Sequence, residues 1–125
     1  MKKTILVVDD FASIRDFVCT VLEQRGYNTL KASNGKEAFR IIKEDGQSVN
    51  LVLTDYNMPD WTGFELLQRI KSDPAFSNIP VIFLTTEADP EKMRNAKKAG
   101  LTAWIKKPYR AETFFSQIDK AVANG

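Results

Sequence analysis

The stretch Ile5-Leu6-Val7-Val8-Asp9-Asp10 places four apolar residues in a row directly before two carboxylates. A continuous apolar run is typical of a strand buried on both faces, as in a parallel sheet covered by helices. Two later runs have the same form, Leu51–Leu53 and Val81–Leu84, and polar residues follow each of them. These three runs predict the central strands of one sheet.

Apolar runs alternate with amphipathic stretches along the whole chain, which predicts a parallel sheet with helices on both faces. The other two strands carry polar residues and suit the sheet edges. The predicted fold is therefore α/β, a flavodoxin-like (βα)5 arrangement with strand order 2-1-3-4-5. The predicted strands are Thr4–Val8, Asn28–Ala32, Leu51–Thr54, Val81–Thr85 and Thr102–Lys106. The predicted helices are roughly Ala12–Arg25, Gly35–Glu44, Gly63–Lys71, Pro90–Ala99 and Ala111–Ala123.

Apolar periodicity predicts which face of each helix meets the sheet. In the first helix this face is Ile14, Phe17, Val18, Val21 and Leu22. In the last helix it is Ala111, Phe114, Phe115, Ile118 and Val122. Cys19 lies off the stripe of its helix and is predicted to be a bystander. Helix ends are marked by the capping pair Thr62 and Glu65, the cap Asp89 before Pro90, and the stop glycines Gly26 and Gly100.

Composition excludes several classes of function. The 125 residues include 18 basic and 16 acidic side chains, one cysteine and no histidine. This balance is too even for a dedicated nucleic-acid binder, and the lack of histidine excludes Ser-His-Asp and Cys-His nucleophile pairs. The length predicts one domain over residues 1–125. No apolar run approaches the ~20 residues of a membrane helix, so we expect no membrane insertion, and the lone thiol fits a cytoplasmic location.

Polar residues end or directly follow four of the predicted strands, and the carboxyl ends of parallel strands meet at one edge of the sheet. They are Asp9 and Asp10, Asp55, Thr85 and Thr86, and Lys106 and Lys107. Each has an ordinary structural interpretation: the acids as helix caps or turn residues, the threonine as a strand residue, the lysine as a solvated edge charge. Those interpretations do not explain why all four sets lie around one point.

Three carboxylates at one edge suggest a cation. Two of them about 4 Å apart repel by roughly 4 kcal/mol at an effective dielectric constant of 20. A few oxygen ligands, with water completing an octahedron, favour Mg²⁺. A carboxylate, a lysine and a hydroxyl beside Mg²⁺ indicate phosphoryl transfer, in which the carboxylate is the nucleophile and an acyl phosphate forms.

Four motifs carry a family resemblance: Val7-Val8-Asp9-Asp10, Leu53-Thr54-Asp55-Tyr56-Asn57-Met58-Pro59 with Gly63, Leu84-Thr85-Thr86, and Lys106-Lys107-Pro108. In this order and spacing, from Lys3 to the C-terminus, the chain resembles the receiver domain of two-component response regulators, in its stand-alone chemotaxis form. The resemblance implies that Asp55 accepts a phosphoryl group from a sensor histidine kinase, and that the protein signals without being a turnover enzyme.

The resemblance also implies roles for the neighbouring residues. Asp10, Asp55 and the backbone carbonyl of Asn57 would hold Mg²⁺, with Asp9 acting mainly through water. Lys107 would contact a phosphoryl oxygen, and its bond to the following proline would be cis.

Two switch residues follow from the same resemblance. Thr85 would move its hydroxyl toward the phosphoryl group, and Trp104 would rotate into the space that Thr85 leaves. Tyrosine or phenylalanine is more usual at position 104 in the chemotaxis branch, so this tryptophan is a departure. Asn57 and Glu87 lie where the family tunes dephosphorylation.

The segment from Lys92 to Arg110 carries seven basic residues and no acid. This charge is either a solvated helix surface or a docking face for an acidic segment of another protein. The resemblance implies the second, since receiver domains signal through the fourth helix, fifth strand and fifth helix. The predicted partner face is Lys92, Lys97, Lys98, Trp104 and Lys106.

The implied partners are the kinase, a flagellar motor switch protein or another effector, and a phosphatase. Nucleic acid is not among them. Within the family, a phosphorelay or adaptor receiver and a receiver excised from a longer regulator remain open. A haloacid-dehalogenase-like phosphatase needs an acid two residues beyond the nucleophile, where this chain has Asn57. A flavin binder needs a phosphate loop after the first strand, where Asp9 and Asp10 would repel phosphate. A nucleic-acid binder rests only on the basic segment.

Overall fold

The computed structural model describes residues 2–124 and contains one sheet of five parallel strands in the order β2-β1-β3-β4-β5. The strands are β1 Thr4–Val8, β2 Asn28–Ala32, β3 Leu51–Thr54, β4 Val81–Thr85 and β5 Ala103–Lys106. The helices are α1 Ala12–Gln24, α2 Gly35–Asp45, α3 Gly63–Ser72, α4 Pro90–Lys98 and α5 Ala111–Asn124. A short 3₁₀ turn, Gly46–Ser48, precedes β3. The predicted fold class and strand order are confirmed.

Successive side chains of each strand point to opposite faces of the sheet, and this divides the core into two layers. Leu6, Val8, Val52 and Phe83 pack with apolar residues of α2, α3 and α4 on one face of the sheet. Ile5, Val7, Leu53 and Leu84 pack with α1 and α5 on the other. Because successive side chains of a strand point to opposite faces, a fully apolar strand is what a sheet covered on both sides requires.

The first helix packs with a different face from the one predicted. Its buried apolar residues are Val18, Cys19 and Leu22, and Cys19 is only 1% exposed. Ile14 and Phe17, predicted to lie in the core, are 38% and 63% exposed. The predictions for these two residues and for Cys19 are therefore wrong: the helix is rotated by about one residue, roughly 100°, from its most apolar orientation.

Side-chain caps set several helix ends. The Thr62 side chain accepts from the Glu65 amide at 3.2 Å and Asp89 from the Lys92 amide at 3.3 Å, as predicted. Asn34 caps α2 by accepting from the Glu37 amide at 2.8 Å, which the sequence analysis did not predict. In contrast, α1 begins after Phe11 without a side-chain cap.

Gly26 and Gly100 end α1 and α4 with φ of 104° and 101°, where a β-carbon would strain the backbone. Thr102, predicted to begin β5, lies just before it. Within residues 2–124, no helix is both long and apolar enough to cross a lipid bilayer.

Candidate functional site

The ends of β1 and β3 bring acids from two neighbouring strands together. Val8 pairs with Thr54 at the ends of these strands. The next residues, Asp9 and Asp55, therefore leave adjacent strands side by side, and the Asp55 amide donates to the Val8 carbonyl at 3.1 Å. Strand order reverses at this point, the position that ligands favour in open α/β sheets.

Three carboxylates form the centre of the site. Asp9, Asp10 and Asp55 each offer one oxygen, and these oxygens lie within 4.8 Å of one another. Asp9 is 4% exposed, and the other two acids are half-buried. The Asp10 Oδ1 atom is buried and has no hydrogen-bond partner among residues 2–124. Like charges this close repel, and an unpaired buried oxygen is costly, so the cluster is a poor structural device without a cation.

The donor set indicates which cation the cluster could hold. Carboxylate oxygens suit hard divalent ions. A few carboxylates leave coordination positions for water, which Mg²⁺ retains more readily than Ca²⁺ does. The unpartnered Asp10 oxygen provides a ligand atom that no described residue competes for. The residues present therefore fit Mg²⁺.

Lys107 brings a positive charge to the cluster. Its amide donates to the Thr85 carbonyl at 2.8 Å, which fixes the chain beside β4 as it leaves β5. Its Nζ lies 3.9 Å from Asp9 Oδ2. The peptide bond from Lys107 to Pro108 is cis, in agreement with what the resemblance implies.

The pKa of Asp9 is raised above its ordinary value. Burial is the largest cause, because it disfavours the charged form, and the nearby Asp55 charge acts in the same direction. The Phe11 amide, which donates to Asp9 Oδ1 at 2.9 Å, and the Lys107 charge oppose the shift without reversing it. This carboxylate is thus held in a site that favours either a proton or a cation.

The loop after Asp55 is packed closely against the start of α3. The Asp55 Oδ1 atom accepts from the Tyr56 amide at 2.7 Å, and the Gly63 amide donates to the Tyr56 carbonyl at 2.7 Å. A β-carbon at Gly63 would lie 2.4 Å from the Asp55 carbonyl oxygen. Only glycine permits this approach. Asn57 is exposed in this loop, and its amide lies 3.4 Å from Asp55 Oδ1.

The backbone of Glu87 connects the two predicted switch residues. Thr85 is fully buried, and its hydroxyl accepts from the Glu87 amide at 3.2 Å. The Trp104 indole Nε1 donates to the Glu87 carbonyl at 2.9 Å. The half-buried indole packs against Phe83 and Tyr56, with ring centroids 5.3 and 5.5 Å apart. One peptide segment therefore contacts both side chains.

The side chain of Glu87 is tied to α4. The Lys92 Nζ lies 2.8 Å from Glu87 Oε1 and 5.3 Å from the centroid of the Tyr56 ring. The hydrogen bond from Lys92 lowers the pKa of Glu87. Glu87 thus contacts the end of β4 and Trp104 of β5 through its backbone, and α4 through its carboxylate.

The predicted partner face separates into two parts. Trp104 and Lys97, with Met93 and Leu101, line a surface cavity of about 300 Å³ between α4 and β5. Lys98 and Lys106 are exposed but outside this lining, and Lys92 is paired with the β4–α4 loop.

Sequence reasoning missed two residues at the site. Tyr56 follows Asp55 directly, and its ring packs against those of Phe83 and Trp104. Its position beside the acid was the available signal. Arg15 lies on the sheet-facing side of α1, where its Nη1 donates to the Asp9 carbonyl at 2.8 Å. No apolar pattern could predict a guanidinium there.

Several known proteins resemble this chain in sequence and fold. Residues 5–119 match the family described as response regulator receiver domain. Chemotaxis protein CheY-3 of Vibrio cholerae is 37% identical over 117 residues, which cover 93% of this chain and 88% of that protein. Chemotaxis protein CheY of Pseudomonas aeruginosa is 32% identical, with 93% of each chain covered. The solved structure of Vibrio cholerae CheY4 superposes with a TM-score of 0.88 at 32% identity, covering 97% of this chain and 99% of that one. The chain therefore belongs to the family of response regulator receiver domains.

Proposed function

We propose that residues 1–125 act as a single receiver domain whose Asp55 accepts a phosphoryl group from a phosphohistidine of a sensor histidine kinase. The observation that carries this proposal is the convergence of three carboxylates and Lys107 at the reversal of strand order. Asp10, Asp55 and the Asn57 carbonyl are the proposed ligands of Mg²⁺, with Asp9 acting through water.

The proposed step is a displacement at phosphorus. A carboxylate oxygen of Asp55 forms the new O–P bond, the N–P bond of the phosphohistidine breaks, and its electron pair stays on the imidazole. The carboxylate oxygen is itself the nucleophile, so the step needs no histidine as general base. Lys107 neutralises charge on a phosphoryl oxygen. Bound Mg²⁺ would supply further positive charge to the phosphoryl oxygens.

The signal then passes through the β4–α4 loop. A phosphoryl oxygen on Asp55 attracts the Thr85 hydroxyl, which now accepts from the Glu87 amide at 3.2 Å. Movement of Thr85 releases that amide, and the Glu87 carbonyl shifts the indole of Trp104, which it holds at 2.9 Å. We propose that this loop biases the position of α4, and that Asn57 and Glu87 set the rate at which water removes the phosphoryl group.

The output face is formed by Lys92, Lys97, Lys98, Lys106 and Trp104, and it would bind an acidic segment of an effector. The cavity of about 300 Å³ offers an apolar floor beside basic side chains. Similarity to proteins named for chemotaxis favours a flagellar motor switch protein as the effector. A phosphorelay or adaptor receiver with another partner is the second candidate, and binding of phosphorylated protein to an isolated motor switch protein would distinguish the two.

The phosphodonor has a candidate docking surface next to the acids. Three exposed apolar residues lie at the start of α1 and along its outer side: Phe11, Ile14 and Phe17. Phe11 is 61% exposed and Phe17 is 63% exposed. Phe11 directly follows Asp10, so a protein that delivers a phosphoryl group to Asp55 approaches beside this stripe. We propose that an apolar helix of the kinase packs there.

That docking surface has a direct test. Replacing Phe17 by serine should slow phosphoryl transfer from a phosphorylated sensor histidine kinase and leave labelling by acetyl phosphate unchanged. Met93→Ser, at another exposed apolar residue, is the matched control. Equal transfer rates for the Phe17 variant and wild type would exclude the stripe as the donor interface.

Intact-mass measurement after incubation with acetyl phosphate tests the phosphoacceptor. With Mg²⁺ we expect one labile phosphoryl adduct, which is lost in Asp55→Asn and with chelator. Asp60→Asn, an exposed acid in the same loop, should keep the adduct. An adduct that persists in Asp55→Asn, or none in the wild type, would contradict the proposal.

A further inference from the structure

An arginine occupies a core position of α1. The residues of this helix that face the sheet are spaced i, i+3, i+4 and i+7: Arg15, Val18, Cys19 and Leu22, of which the last three are buried. Arg15 itself is half-buried, and its Nε atom is buried without a hydrogen-bond partner within the described residues. Burying part of a guanidinium without full hydrogen bonding is unfavourable, so its position calls for a reason.

The contacts of Arg15 point toward the acid cluster. Its Nη1 donates to the backbone carbonyl of Asp9 at 2.8 Å. Together with Asp9, Thr54 and Asp55, it lines a small cavity of about 10 Å³ beneath the carboxylates. Among residues 2–124 it forms no salt bridge, so its hydrogen bond goes to the backbone and not to a carboxylate.

We propose that Arg15 is a positioning residue for the cation site. The Asp9 carbonyl belongs to the peptide unit that joins Asp9 to Asp10, and that unit is planar. Holding the carbonyl fixes the plane and the position of the Asp10 α-carbon, and this restricts the directions in which the Asp10 side chain can leave the backbone. The buried, unpartnered Asp10 Oδ1 atom is then presented to the cluster. This inference rests on the proposed function, since it assigns a residue that prepares the proposed magnesium ligands.

The alternative is that Arg15 acts through its charge. The two roles predict opposite changes in Mg²⁺ affinity when Arg15 is replaced. A guanidinium near a cation site repels the cation, so its removal would tighten Mg²⁺ binding. Removal of a positioning residue would instead weaken Mg²⁺ binding, because a misdirected ligand binds the cation less tightly. Replacing a residue that orients a metal ligand without touching the metal typically changes the metal affinity about 10- to 100-fold.

The test compares Mg²⁺ affinity, by calorimetric titration, in wild type, Arg15→Met and Arg15→Lys. Methionine fits beside Val18 and Leu22, so the fold should survive, and circular dichroism checks this. We expect about tenfold weaker binding in Arg15→Met, with partial recovery in Arg15→Lys, whose ammonium can still donate to the Asp9 carbonyl. Arg40→Met, which removes an exposed charge on α2, should bind as wild type. Equal or tighter binding in a folded Arg15→Met would overturn the proposal.

A metal-free measurement separates this inference from the proposed function. The Phe11 amide donates to Asp9 Oδ1 at 2.9 Å and reports on the same turn. In Arg15→Met we expect faster hydrogen exchange at this amide, without change at the central strands. If the wild type binds no Mg²⁺, the proposed function fails, and exchange at Phe11 still decides the positioning role: unchanged exchange would refute it.

Discussion

Replacing Asp10 by asparagine should stabilise the metal-free protein. The three carboxylate oxygens lie within 4.8 Å of one another. Two unit charges at that spacing repel by about 3.5 kcal/mol at an effective dielectric constant of 20. The substitution keeps the side-chain size and removes the repulsion of Asp10 from both Asp9 and Asp55. Water around the half-buried acids and the nearby Lys107 weaken both terms, so we expect a net gain of about 1–3 kcal/mol.

Urea denaturation near neutral pH, with chelator and then with saturating Mg²⁺, measures this effect. In chelator the midpoint of Asp10→Asn should rise without a change in slope. Mg²⁺ should stabilise the wild type, since it binds only the folded site, and should have little effect on the variant. The gain from the substitution should therefore shrink as the metal concentration rises.

Asp45→Asn makes the same change of charge on an exposed acid at the opposite end of α2 from the site, and should alter stability by less than about 0.5 kcal/mol. If Asp10→Asn were no more stable than wild type in chelator, the carboxylates would not repel in the folded state. The cluster would then need no cation to offset its charge.

Three further predictions concern packing, pH and the switch. Gly63→Ala should lower the free energy of unfolding by about 3 kcal/mol in urea, because its β-carbon would meet the Asp55 carbonyl at 2.4 Å; a change below about 0.5 kcal/mol would contradict this. Burial and a hydrogen bond to a carboxylate on α5 raise the pKa of Tyr27 to about 12. The stabilisation that protonated Tyr27 contributes should therefore be complete below pH ~10 and be lost as the pH rises toward 12, and denaturation of Tyr27→Phe should show a smaller loss over this range. Trp104→Phe loses the bond to the Glu87 carbonyl, so amide exchange in the β4–α4 loop should accelerate, and unchanged exchange would exclude a coupling through the indole.

The sheet could be predicted almost completely from the sequence. Four of the five strands have the predicted bounds. The three central strands were the clearest, because a strand buried on both faces must be apolar along most of its length. Thr102 is the exception: its amide donates to the Val81 carbonyl, but it lies outside β5. Two helix starts could be predicted from the side chains that cap them, Thr62 and Asp89.

The acid cluster was predictable for a topological reason. Parallel strands carry the residues that follow them to one edge, so Asp9, Asp10 and Asp55 converge whatever the details of packing. The β4–α4 loop was not predictable in this way. Its hydrogen bonds run between backbone atoms of Glu87 and the side chains of Thr85 and Trp104, and backbone partners leave no pattern in a sequence.

The orientation of α1 is the instructive failure. Apolar periodicity considers only the transfer of side chains from water, and on that basis Phe17 belongs in the core and Arg15 in solvent. The structure reverses both, and one rotation of about 100° accounts for the two reversals together. A helix turned to its most apolar face would bury Phe17 but would carry Arg15 away from the Asp9 carbonyl. Local patterning is expected to fail where function imposes a competing requirement. We infer that this requirement has two sides, both proposed above: a donor held beneath the acids, and an apolar surface left free beside them where a phosphodonor would dock.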